Sequence, residues 1–338
     1  MTVLIVKDYG VAVRLRRGLV LVCKGEEVLA RVPLCHLERV IVVTSGVMVS
    51  SKLVRAASRA GVDLLFMDHR GEPVARLAPP YATRTVLTRR LQYEAYGDER
   101  GVEIAKAVAY SKVRNQAGML RYIARNRSDP ELRELLREVA LEIDRVAEAI
   151  ASIRARRVDL VRQEIINLEA EAAKWYWPMV ARALPEGLGF TGRDQRGDDL
   201  FNKMLNYGYG ILKGVAWRAL VTVGLDPYAG YLHVDRSGRP SLVLDFMEQF
   251  RQPLVDRALL ALVSREAPEP ERCLERDGRL RSDFRARIAA EVLRRLSSRV
   301  RYDGGRVAME VAVRRQARRL ARYLRGEEDR YSGYIERW

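Results

Sequence analysis

Residues 232–251, LHVDRSGRPSLVLDFMEQFR, hold one of only three histidines in the chain. His233 precedes a Ser237-Gly238-Arg239-Pro240 turn, and the apolar run after it ends in Asp245 and Glu248. That spacing puts both carboxylates on one side of a helix. One imidazole with two or three carboxylates is a hard, oxygen-rich donor set suited to Mg²⁺ or Mn²⁺, with imidazole favouring Mn²⁺. A structural zinc would want thiolates or more histidines. On spacing alone, a packing role for the same residues stays open.

Further carboxylate material lies in VRQEIINLEAEAAKWYW. At ~100° per residue, Glu169 shares a helix face with Ile165, Ile166, Ala172, Ala173 and Tyr176. A charge on a core stripe is costly unless it is paired, so Glu169 reads as either a ligand or a glutamate satisfied by an arginine. Between these stretches, Asp198 and Asp199 can cap a helix on which Asn202, Asn206, Tyr209 and Lys213 form a polar stripe. Arg193 and Arg196 stand just before it, and the six residues together are candidates for contact with nucleic acid, a solvent face being the bland reading.

The elements that must position these residues change character along the chain. Residues 1–80 read as β-branched strands broken by Arg17-Gly18 and Lys24-Gly25 turns, with one helix that begins at Ser50/Ser51 and stops at Gly61. APPYAT (78–83) breaks the pattern, and a linker is assigned to 81–92. Residues 93–338 then carry apolar residues at helical spacing, with loops near 185–197, 226–240, 265–282 and 301–306. The expected fold class is therefore α+β: a β-rich N-terminal domain with one helix, and an all-α C-terminal domain carrying the site.

Composition narrows the function. Sixty Lys and Arg against 44 Asp and Glu give a formal charge of +16, and only eight of the sixty are lysine. Such a surface points to a polyanion, most often nucleic acid, and Arg suits bidentate phosphate contact. Cys23, Cys35 and Cys273 are isolated, which suits a reducing compartment and argues against a zinc ribbon. No apolar run approaches a membrane span, and the start MTVLIVKDYG does not continue as a signal peptide, so a cytoplasmic protein is expected. No HExxH, GxSxG or GxGxxG fingerprint is present, and one histidine in the helical half leaves little for a Ser/His/Asp triad.

Taken in order, RVPLCHLERVIVV, GVDLLFMDHRGEPVARLAP, IAKAVAYSKVRNQ, LEAEAAKWYW, DDLFNKMLNYGYGIL, GLDPYAGYLH and GRPSLVLDFMEQFRQPLVDR resemble the CRISPR-associated integrase of spacer acquisition, a metal-dependent DNA endonuclease family. The resemblance covers nearly the whole chain; Ala170 stands where the family commonly has Gly. It implies that Glu169, His233 and Glu248 hold Mg²⁺ or Mn²⁺, with Asp245 as an auxiliary catalytic carboxylate. It also implies a homodimer formed through the β-rich domain, and a small ferredoxin-like partner protein with which short DNA is inserted into a CRISPR array. Apolar strand text such as RVIVVTSGVMVS, more than one small sheet face would bury, points to the same dimer contact. A general branched-DNA repair nuclease and a non-catalytic architectural DNA-binding protein are the alternatives.

Overall fold

The computed structural model describes residues 2–77 and 86–338. APPYAT and the first part of the assigned linker, 81–85, lie outside the described residues. The N-terminal part is strand-rich as expected: β1 (Thr2–Val6), β2 (Ala12–Arg16), β3 (Leu19–Lys24), β4 (Glu27–Pro33), β5 (Leu37–Val42), β6 (Met48–Val49), helix α1 (Ser51–Ala60), β7 (Asp63–Met67) and β8 (Pro73–Leu77). Arg17 and Gly18 both take positive φ, 48° and 79°, which sets the tight β2–β3 turn. The Ser50 hydroxyl accepts the Leu53 N–H at the start of α1, and Gly61 ends it in the left-handed region.

These strands make two sheets, ordered β4-β3-β2-β6 and β1-β5-β7-β8. In the second, β1, β5 and β7 run parallel, and a parallel sheet is normally covered on both faces. That is how β5 is used. Val40 and Val42 pack with β1, β3 and α1, while Ile41 and Val43 join the core shared with the helical part. The apolar surplus read as a dimer contact is therefore absorbed largely within the chain, because this strand has two buried faces and not one.

The helical part comprises α2 (Val86–Ala95), α3 (Glu99–Arg125), α4 (Pro130–Ser152), α5 (Arg162–Ala183), α6 (Leu200–Thr222) and α7 (Ser241–Glu248). It continues through a π-helical turn at Arg251–Asp256 into α8 (Arg257–Glu266), α9 (Pro270–Cys273), α10 (Ser282–Ser297), a hairpin of β9 (Arg299–Tyr302) and β10 (Gly305–Ala308), and α11 (Met309–Leu324). Two expectations are corrected here. Residues 86–92, assigned to a linker, belong to α2, where Gln92 is buried and its side-chain amide donates to the Asp226 and Ala229 carbonyls. The loop expected at 301–306 is a β-hairpin, so this part is not all-α. Asp303 and Gly304 take φ of 48° and 79°, the demand of a two-residue hairpin turn, and Val300 and Tyr302 alternate inward between arginines.

Among the described residues no helix is long and apolar enough to cross a membrane. Cys23 and Cys273 are buried and Cys35 is exposed, and none forms a disulfide. The sheet meets the helices where the β7–β8 turn rests on α6. A Cβ added at Gly210 would lie 1.5 Å from the Gly71 carbonyl oxygen, so only glycine allows that approach.

Candidate active site

Helices α3, α5 and α7 converge, and each contributes one charged side chain to their junction. Glu169 sits on the inward stripe of α5 with Ile165, Ala172 and Tyr176 buried beside it. Glu248 closes α7. Lys112, from the middle of α3, reaches both: its Nζ lies 2.7 Å from Glu248 Oε2 and 3.3 Å from Glu169 Oε1. Burial holds the Glu169 carboxyl above its usual range despite Lys112, whereas Glu248, equally buried, is held down to about 2 by Arg251 and Lys112. Glu169 is thus paired, but by a lysine and not by the arginine expected of a structural glutamate.

His233 approaches from the loop between α6 and α7. Asp245 fixes it. One carboxylate oxygen accepts the Tyr231 and Leu232 N–H groups at 2.6 and 3.0 Å; the other accepts the His233 N–H at 2.8 Å and faces its Nδ1 at 2.7 Å. With Nδ1–H directed at Asp245, Nε2 is the nitrogen left for a ligand. Burial opposes the charged imidazole, but Asp245, Glu248 and Glu169 outweigh it and raise its pKa above the ordinary value. Gly230 makes the loop possible, since a Cβ there would come within 2.8 Å of the Ser241 backbone and 2.9 Å of Asp245.

A second layer supports Glu248. Its Oε1 meets Arg251 at 2.9 Å, and the Arg251 guanidinium stacks 4.3 Å from the Tyr209 ring centre. Tyr209 and Tyr176 both donate to Asp256, at 2.6 and 2.8 Å. Arg193 adds a cation–π contact to Tyr209 and donates to Asn202 at 2.9 Å and Asn206 at 2.6 Å. From behind, Asn115 on α3 donates to the carbonyls of Gln249 and Tyr334, which ties the segment after Glu248 to the chain's last residues.

Among the described residues no group of three His, Cys, Asp or Glu stands ready to hold a metal ion as arranged, and Lys112 lies between the two glutamates. The donor chemistry nevertheless fits a hard divalent cation. Glu169 Oε1 and Glu248 Oε2 are buried with only the Lys112 ammonium as a partner among the described residues, and the nearby imidazole has its Nε2 free.

The sequence profile described as CRISPR associated protein Cas1 matches residues 4–294. The chain belongs to the Cas1 family. A relative from Archaeoglobus fulgidus named CRISPR-associated endonuclease Cas1 is 37% identical over 346 residues, 99% of each chain. One of the same name from Pyrobaculum aerophilum is 45% identical over 258 residues, 76% of this chain and 81% of the relative. In fold the chain is similar to a casposase solved with its integration product, with a TM-score of 0.83 at 23% identity over 98% of this chain and 93% of the other. It is also similar to a Cas1 protein of Thermotoga maritima, with a TM-score of 0.77 at 18% identity over 99% and 100%. The α+β fold is that of Cas1, and the chain is a CRISPR-associated endonuclease of this family.

Within this Cas1-family chain, Glu169 and Glu248 are joined through Lys112, and His233 is electrostatically coupled to both, with Asp245 behind the imidazole. The six residues considered for nucleic-acid contact are spread differently. Asn202 and Tyr209 are buried, Arg193 and Asn206 bond to one another, and Lys213 pairs with Glu72 of the β7–β8 turn. Only Arg196 is exposed with its side chain toward solvent. Lys112, Arg251, Tyr176 and Asp256 were not singled out from the sequence as site residues. For Arg251 a signal existed: it lies one helical turn beyond Glu248, the spacing of an ion pair.

Proposed function

We propose that this protein is the metal-dependent integrase of CRISPR spacer acquisition, joining the 3′-OH of short foreign DNA to a phosphodiester of a CRISPR array and also nicking DNA. The observation that carries this reading is a pair of buried glutamates facing one lysine and electrostatically coupled to an imidazole whose Nδ1 is committed to Asp245. Glu169, His233 and Glu248 would hold Mg²⁺ or Mn²⁺, which when bound polarises a phosphodiester and lowers the pKa of an attacking hydroxyl or water. The protein's own part is positional. Asp245 orients the imidazole through Nδ1, while Arg251 holds one oxygen of Glu248 so that the other points to the site. Phosphates of the DNA meet a strongly basic surface, to which Arg196 contributes an exposed guanidinium.

The assembly belongs to the same reading: a homodimer joined through the β-rich part, acting with a small ferredoxin-like partner in the cytoplasm. The homodimer rests on the family resemblance, and a partner protein is supported by the fold shared with a chain of a Cas6-RT-Cas1–Cas2 complex, which has a TM-score of 0.77.

Glu169→Ala, His233→Ala and Glu248→Ala should each abolish Mn²⁺-dependent cleavage of branched DNA while far-UV dichroism stays that of the parent. Near-normal cleavage by any one of them removes that residue from the metal shell. Strand transfer into a plasmid with and without a CRISPR repeat, and with and without the partner, separates this function from general repair: equal transfer into both plasmids favours the repair nuclease.

A further inference from the structure

Lys112 has a position that the metal reading does not use. Its ammonium is shared by Glu169 Oε1 at 3.3 Å and Glu248 Oε2 at 2.7 Å, and neither oxygen has another partner among the described residues. The glutamate side chains are 11% and 3% exposed and that of Lys112 is 20% exposed, so all three charges are largely withdrawn from water. Two buried carboxylates so close would repel one another, and each has already lost its water. One ammonium between them offsets both charges in part.

The neighbouring cation is held quite differently. Arg251 is fixed on the other oxygen of Glu248 and stacked on Tyr209. Lys112 has a compact charge on a flexible four-carbon stem, the kind of group that can swing aside. We infer that Lys112 is a built-in counter-ion for the active site: it holds Glu169 and Glu248 together when no divalent cation is bound and must leave the space between them when one binds. The second half of this inference rests on the metal reading above; the first half does not. It follows that the protein folds with its two glutamates already facing each other, and that metal affinity is set partly by competition with the ammonium.

The test is Lys112→Met, with melting followed in EDTA and Mn²⁺ binding followed by electron paramagnetic resonance. In EDTA the variant should melt lower by about 5 °C or more, since a buried pair has lost one partner. Mn²⁺ should bind it about tenfold more tightly than it binds the parent, and should raise its melting temperature further. An unchanged melting temperature in EDTA overturns the counter-ion role, and unchanged or weaker Mn²⁺ binding overturns the competition. If Lys112→Met alone does not fold in EDTA, adding Glu169→Gln should restore folding, because the remaining Glu248 keeps Arg251; failure to restore it also overturns the inference. A parent protein that binds no Mn²⁺ would instead sink the metal reading, leaving the EDTA comparison to judge Lys112 by itself.

Discussion

Asp245 makes no contact with Glu169 or Glu248 that would draw attention to it, yet each of its oxygens takes two donors from the His233 loop. An amide of the same shape has only one acceptor oxygen, so in Asp245→Asn an NH₂ must face an N–H. An unsatisfied buried donor costs about 1–3 kcal/mol. Loss of a carboxylate behind a ligating histidine typically costs about 10–100-fold in metal affinity. Asp245→Asn should therefore weaken Mn²⁺ binding by that order in a direct titration, with the fold retained. At this scale the sequence was readable for charge on an apolar face, which marked Glu169, and for the rare histidine near paired carboxylates. The roles of these residues came from the family resemblance. Lys112 was not readable, because a lysine on a long helix looks solvated until two distant elements bring carboxylates to it.

The elements were largely legible where period and punctuation agree. The strands to residue 77, the cap at Ser50, the stop at Gly61 and the cap at Asp199 all lie where local chemistry demands them. The hairpin at 299–308 was missed because its outward arginines hide a two-residue alternation, although Asp303-Gly304 is a hairpin signal. The polar stripe of α6 was visible, but its purpose was not: Asn202, Asn206 and Tyr209 serve Arg193 and Asp256, and periodicity cannot tell an internal network from a binding face. One contact between elements gives a pH prediction. Glu38, at the start of β5, shares a proton with Glu310 in the first turn of α11, amid Arg39 and Arg314. Burial and the Glu38 hydrogen bond push Glu310 from 4.5 up to about 7, against the pull of Arg39. Between those values the folded chain holds a proton that the unfolded chain has released. The stability it contributes is thus full below 4.5 and lost as pH rises through about 7. Glu310→Gln, fixed in the uncharged form, should melt higher than the parent at about pH 8 and close to it at about pH 5. A constant difference across that range would show that the contact does not titrate.

For the whole molecule the dominant quantity is the +16 charge. Much of it is locally committed. On α11, Arg314, Arg319 and Arg322 have carboxylate partners, as does Arg325 just after it, while Arg315 and Arg318 are exposed with no carboxylate partner among the described residues. Duplex binding should still fall steeply with salt, and each phosphate contact removed should reduce the logarithmic slope by about 0.9. Arg196→Ala is expected to show that change at unaltered melting temperature. Arg193→Ala should behave in the opposite way, lowering the melting temperature through the Asn202–Asn206–Tyr209 network with little effect on the slope. Equal slopes for parent and Arg196→Ala would mean that this loop does not touch the backbone.

The Gly71–Gly210 contact has a mechanical meaning for a protein of this shape. A carbonyl set against a bare Cα leaves no compressible side chain between the sheet and α6. That joint transmits displacement without slack. α6 carries Tyr209, whose ring lies under Arg251, and Arg251 grips Glu248. The strand-rich part and Glu248 are therefore joined by an unbroken run of close contacts through α6, Tyr209 and Arg251.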